Sequence, residues 1–117
     1  MIDSEGYVFD KQAWESHGIT QTLASISVTC EYWDTAAGAW LAWKGWAYDR
    51  QANPQTTGAD GQYAFFVPPG TYRIRASHPD YWPYASPGIL VQGQPARLNI
   101  PLALARRIYL PILFRQS

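Results

Sequence analysis

Hydrophobic and polar positions alternate most regularly between Gln62 and Ala76. Tyr63, Phe65 and Val67, then Tyr72, Ile74 and Ala76, fall on one face of an extended chain, while Gln62, Arg73 and Arg75 fall on the other. A period of two with one polar face is the pattern of half-buried antiparallel strands. Pro68-Pro69-Gly70 separates the two runs. Proline fixes φ and removes a ladder donor, and glycine accepts positive φ, so a turn is predicted there and the two runs read as a hairpin. Asp60-Gly61 just upstream is a tight-turn pair that closes whatever strand precedes it.

The same test applied elsewhere predicts five more strands. Residues 6–10 form a short first one around Tyr7, Val8 and Phe9. Residues 11–22 lose the alternation and read as a loop or brief helical turn. Residues 24–34 alternate strictly, with Ile26, Val28, Cys30 and Tyr32 inward and Ser27, Thr29, Glu31 and Trp33 outward. Residues 39–49 carry Trp40, Trp46 and Tyr48 on one parity and Leu41 and Trp43 on the other, so neither face is polar and the spacing does not decide which is buried. Residues 50–59 are polar and read as an exposed loop, and residues 77–88, with three prolines, as a second one. Residues 89–92 and 97–102 supply the last two strands. Pro101 places the final one at a sheet edge, because proline cannot donate to a ladder.

Residues 56–76 also carry a resemblance. The order Thr-Thr-x-x-Asp-Gly-x-Tyr-x-Phe, a short spacer, then Pro-Gly-x-Tyr-x-Ile resembles the signature of carboxypeptidase regulatory-like domains and the related Cna-B-type modules. Gly61, Tyr63 and Tyr72 match the turn glycine and strand tyrosines of that pattern, and Gly6-Tyr7-Val8-Phe9-Asp10 is similar to its opening strand. Asp80-Tyr81 stands where the family commonly has a glycine-tyrosine pair, which implies that Tyr81 folds back onto the core. The resemblance implies an all-β fold: a seven-stranded antiparallel Greek-key β-sandwich of prealbumin-like type, over residues 1–104. Residues 105–117 would be an apolar C-terminal extended tail, Ile108 to Phe114 flanked by arginines, lying on a sheet edge or against a partner.

A chain of 117 residues with 47% hydrophobic and 15% charged positions suits one packed domain and excludes a disordered one. Nine basic residues balance nine acidic ones, which removes most of the case for nucleic-acid binding. No run approaches the roughly 18 apolar residues of a membrane span. The start lacks an export signal and falls almost on the first strand, which fits a fragment of a longer secreted chain; an extracellular or cell-surface location is therefore expected. Cys30 has no internal partner and shares the phase of Ile26 and Val28, so it reads as a buried inert thiol.

Candidate chemistry is sparse. His17 and His78 stand in separate loops without metal-ligand spacing, and His78-Pro79-Asp80 supplies no nucleophile. The serines at 25, 27, 77 and 86 lack a nucleophile-elbow context. Asp49, Asp60 and Asp80 match no calcium loop. The resemblance raises a Lys-to-Asn crosslink, with Lys44 or Lys11 and Asn99 as candidates, but the acid expected after the Tyr-x-Ile strand is missing from Tyr72-Arg73-Ile74-Arg75-Ala76. No cofactor, metal site or catalytic residue is expected.

Six tryptophans and eight tyrosines exceed what so small a core needs. Flat rings with polar neighbours stack on sugars and on protein partners alike. Trp82 and Tyr84, followed by Trp33, Trp40 and Trp46, are the candidate ligand-contacting residues. The expected function is that of a non-catalytic accessory module of a larger exported or surface protein of bacterial type, docking a neighbouring domain or another protein. The alternative is a polysaccharide-binding module, which requires at least two exposed, coplanar rings on one face.

Overall fold

The computed structural model describes residues 2–45, 51–92 and 97–105. Among them are nine strands and one short helix: β1 (Ile2–Asp10), α1 (Lys11–His17), β2 (Ser27–Asp34), β3 (Ala39–Ala42), β4 (Gln55–Thr56), β5 (Gln62–Val67), β6 (Gly70–His78), β7 (Tyr81–Ala85), β8 (Ile89–Val91) and β9 (Ile100–Leu102). The strands form two sheets. The smaller is ordered β5-β1-β9; the larger is ordered β3-β2-β6-β7, with β4 beside β2 and β8 beside β6. The fold is an all-β sandwich, and each of the seven predicted strands has a counterpart, although the one expected over residues 39–49 ends at Ala42 and residues 46–49 lie outside the described ones. The two extra strands, β4 and β7, fall where loops were expected.

The inward rows predicted on β5 and β6 are buried: Tyr63, Phe65 and Val67 from one, Tyr72, Ile74 and Ala76 from the other. They meet Val8, Ile26, Val28, Cys30, Trp43, Val91, Ile100 and Leu102 in a single core. The hairpin reading of these runs needs correction. β5 pairs with β1 and β6 with β2, so the Pro68-Pro69-Gly70 turn carries the chain from one sheet to the other. Two prolines in the turn remove the N–H groups that would begin a ladder between β5 and β6. Instead, Pro68 O accepts from the Tyr72 hydroxyl at 2.7 Å. Tyr72 is 6% exposed and bridges the turn to the core, so Tyr72→Ala is expected to cost ~3 to 5 kcal/mol in chemical denaturation, the range for deleting a large core ring.

The polar segment before Gly58 is exposed along one side only: Ala52, Pro54 and Thr56 face out, while Gln51, Asn53, Gln55 and Thr57 turn toward the protein. Asn53 lies beside β2 between β3 and β4: its Oδ1 accepts from Cys30 N, and its Nδ2 donates to Cys30 O and Trp43 O. Gln55 exchanges two hydrogen bonds with the backbone of Ala64, and Gln51 two with that of Phe66. Ala64 and Phe66 lie on the side of β5 turned away from β1, so two glutamine side chains satisfy the open edge of the smaller sheet. That protects it against pairing with another chain. Thr57 is buried, its Oγ1 accepting from Ile26 N and donating to Leu23 O. Composition marked these residues as polar; it did not reveal that their polar groups are spent on backbone.

β7 corrects the second loop. His78 Nδ1 accepts from Asp80 N within the turn, and β7 then returns antiparallel to β6 with a register shift between Ala76 and His78. Pro83 is tolerated because β7 ends the order of the larger sheet. β9 takes the edge expected from Pro101, but it runs parallel to β1, departing from the all-antiparallel expectation. Beyond it, Ala103 O accepts from Trp82 N and Ala105 N donates to Asp80 O, which ties the two sheets along one flank. Beside this flank, at the C-terminal end of β1, Asp10 caps α1 by accepting from Ala13 N, and Gly18 closes it at φ 65°. The tail at 106–117 lies outside the described residues.

Candidate functional site

The outer face of the larger sheet brings together side chains that the sequence scatters over more than forty positions. Register sets the arrangement: Trp33 lies opposite Trp40, and Glu31 opposite both Ala42 and Arg73. The Trp33 and Trp40 rings stand 5.4 Å apart at 68°, edge to face. The Arg73 guanidinium lies 5.0 Å from the Trp40 ring centroid. Its Nε donates to Glu31 Oε1 at 2.6 Å, and Arg75 Nη1 lies 3.6 Å from Glu31 Oε2. Glu31 was read as outward and is so directed, yet it is only 8% exposed because the two arginines and the neighbouring rings cover it. Two cations compensate a carboxylate that would otherwise be costly to bury, and the Trp40 ring packs on one of those cations.

The face continues into a cleft of about 460 Å³ at the β5–β6 turn, lined by Tyr32, Trp33, Trp43, Lys44, the Pro68–Gly70 turn, Thr71 and Tyr72. Trp43 settles the ambiguous tryptophan strand. It turns inward, meeting Phe65 at 6.5 Å in an edge-to-face contact, while Trp40 turns outward.

The candidate residues do not form one group. Trp33, 41% exposed, and half-buried Trp40 are neighbours on the outer face. Tyr84 is half-buried and packs against the core from β7, as does Tyr81. Trp82 is 62% exposed but stands on β7, three strand spacings from β3, which is about 14 Å. Trp46 lies outside the described residues. Sequence reasoning did not single out Arg73, Arg75 and Glu31 as a site; a single acid in phase with Trp33, with two arginines on the outer parity of a second strand, was the available signal.

Several buried polar and titratable groups are taken up in structure. Burial, with a smaller contribution from Glu31, pushes the Cys30 thiol up to about 12. Raised from its ordinary value of 9.0, the group is held neutral at physiological pH, so its thiolate population falls by about a thousandfold. Native Cys30 is therefore expected to react with a thiol reagent at pH 8 at least a hundredfold more slowly than in denaturant, and equal rates would place it at the surface. By the same linkage, its contribution to stability is complete below about pH 9 and is lost as pH rises toward 12. Burial raises the Tyr63 phenol as well, and its hydroxyl donates to Leu98 O at 2.7 Å. Burial, together with Asp10, raises that of Tyr81. Ser86 Oγ accepts from Ile74 N and donates to Pro87 O. Asn99 Oδ1 accepts from Tyr7 N, and the buried acid, Glu31, pairs with arginines. No group of three His, Cys, Asp or Glu side chains able to hold a metal occurs among the described residues; Asp49 lies outside them.

Two sheets packed around one apolar core define a β-sandwich module. Residues 46–103 match the family model of the carboxypeptidase regulatory-like domain, and a domain of that kind is present in this chain. The family is non-catalytic. The match begins after β3, so β1 and β2, which are neighbours of β5 and β6, lie outside it. No curated protein matches the chain significantly.

Proposed function

We propose that this chain is a non-catalytic accessory module of a larger exported or cell-surface protein, and that it docks a neighbouring domain or a protein partner. The observation that carries the reading is the outer face itself: Trp33 and Leu90 are exposed there with Arg73, held by Glu31, and the exposed Arg75. Tryptophan and arginine are the residues that dominate protein interfaces. The membership of such domains in extracellular and surface proteins supports the location. No described helix is long and apolar enough to cross a membrane.

Amide hydrogen exchange of the 117-residue chain and of the intact protein containing it tests the proposal. Docking should add protection confined to one surface of the module, and identical exchange everywhere would dismiss it. The second reading, sugar binding, is favoured by the aromatic cleft at Trp33, Trp43 and Lys44. Against it stands the 68° angle of the Trp33–Trp40 pair, which offers no flat platform for a pyranose ring. Tryptophan fluorescence unchanged across a panel of polysaccharides is the expected result.

A further inference from the structure

The geometry points to the outer face of the larger sheet as a docking surface for an acidic, aliphatic-bearing protein segment; the inference rests on the docking role proposed above and names the surface and the partner's chemistry. Of the outward positions on β2, β3 and β6, Glu31 alone is acidic, and Arg73 and Arg75 are basic. One carboxylate shared by two guanidinium groups leaves a positive charge uncompensated. Arg75 carries it: its side chain is 55% exposed and its contact to Glu31 is a long 3.6 Å. Lys44 adds a second cation at the cleft that continues this face past Trp33. Complementarity therefore selects a carboxylate and repels a cation.

The apolar part of the surface decides between a protein and an acidic polysaccharide. The Trp33 and Trp40 rings meet edge to face at 68°, so they offer an angled apolar surface that suits a branched side chain better than a flat sugar ring. Leu90, opposite Thr71 on β8, is 63% exposed and borders the same face. Arg73 is fixed between Glu31 and the Trp40 ring, so little side-chain freedom remains to be lost there on association.

The test uses the folded 117-residue chain and two synthetic peptides, one alternating Glu and Leu, the other Lys and Leu, followed by tryptophan fluorescence and by the indole N–H resonances of Trp33 and Trp40. The Glu-Leu peptide should bind, shift those two indoles, and weaken at least tenfold between 50 and 500 mM salt. Arg75→Glu and, independently, Leu90→Asp should each weaken it at least tenfold, while Arg75→Lys retains most of the binding. Since Arg75→Glu sets an acid beside Glu31 and could perturb folding, Leu90→Asp, at an exposed position, keeps the test decisive. Equal binding of the Lys-Leu peptide, no binding of either at millimolar concentration, or shifts confined to Trp14 or Trp82 would overturn the assignment. So would tighter binding of polygalacturonate than of the Glu-Leu peptide, which would favour an acidic polysaccharide. Protection in the intact protein on another surface would leave the docking role standing and sink only this face.

Discussion

Asn53→Ala is expected to cost about 1 to 3 kcal/mol in equilibrium denaturation, a large effect for a side chain that is only half-buried. The reason is its position. β2 has β3 beside its second half and β4 beside its first, and the stretch between them leaves part of β2 without a continuous neighbouring strand. The Asn53 amide fills that gap, accepting from Cys30 N at 2.9 Å and donating to Cys30 O at 2.8 Å and Trp43 O at 2.7 Å. An amide presents the same donor and acceptor pair as a peptide group, so it continues the ladder where no strand does. Alanine leaves Cys30 N without that acceptor beside the buried Cys30 and Trp43 side chains, whereas Cys30 O and Trp43 O keep Trp43 N and Gly45 N as donors. An orphaned buried donor costs ~1 to 3 kcal/mol. Asn53→Asp keeps one acceptor and loses both donors, so it should fare no better. A loss below about 1 kcal/mol for Asn53→Ala would show that water replaces the amide fully.

The fate of residues 50–59 shows which information a period-two pattern carries. Alternation reports which side chains are inward, and it placed Tyr63, Phe65, Val67, Tyr72, Ile74 and Ala76 correctly because each strand of this sandwich has one wet face. It is silent on partners. Whether β5 pairs with β6 or crosses to the other sheet depends on the turn and on what β1 and β2 offer, none of which alters the parity of either strand. Polar side chains that pair with backbone leave no periodic trace either, so Gln51, Asn53, Gln55 and Thr57 looked like a solvated loop. The candidate site was legible in the same partial way. Trp33 and Trp40 were singled out by type and outward or ambiguous parity, but their neighbours were not. Arg73 reaches Glu31 and Trp40 only because β6 pairs with β2 and β2 with β3 in one register, and a shift of one residue would have sent Glu31 into the core.

Gly6→Ala should be the most damaging single-methyl change in the chain, abolishing the cooperative transition or lowering stability by more than ~4 kcal/mol, a size that marks a specific structural conflict. Gly6 sits mid-strand in β1, opposite Tyr63, where β1 passes against the segment leading into β9. A Cβ there would lie 1.7 Å from Leu98 O and 2.6 Å from Leu98 C. Backbone cannot rotate aside as a side chain can, so the segment must move bodily. Two hydrogen bonds go with it: Tyr63 Oη to Leu98 O, and Tyr7 N to Asn99 Oδ1. Displacement also threatens the parallel pairing of Val8 with Ile100, both fully buried, through which β9 closes the smaller sheet. Gly58→Ala is the control, since nothing lies within 4 Å of a Cβ at that position, and it should change stability by no more than about 0.5 kcal/mol. The glycine of the opening strand is thus required by the close passage of a second backbone. If Gly6→Ala unfolded at the same denaturant concentration as Gly58→Ala, the chain at Leu98 could not lie where this packing puts it.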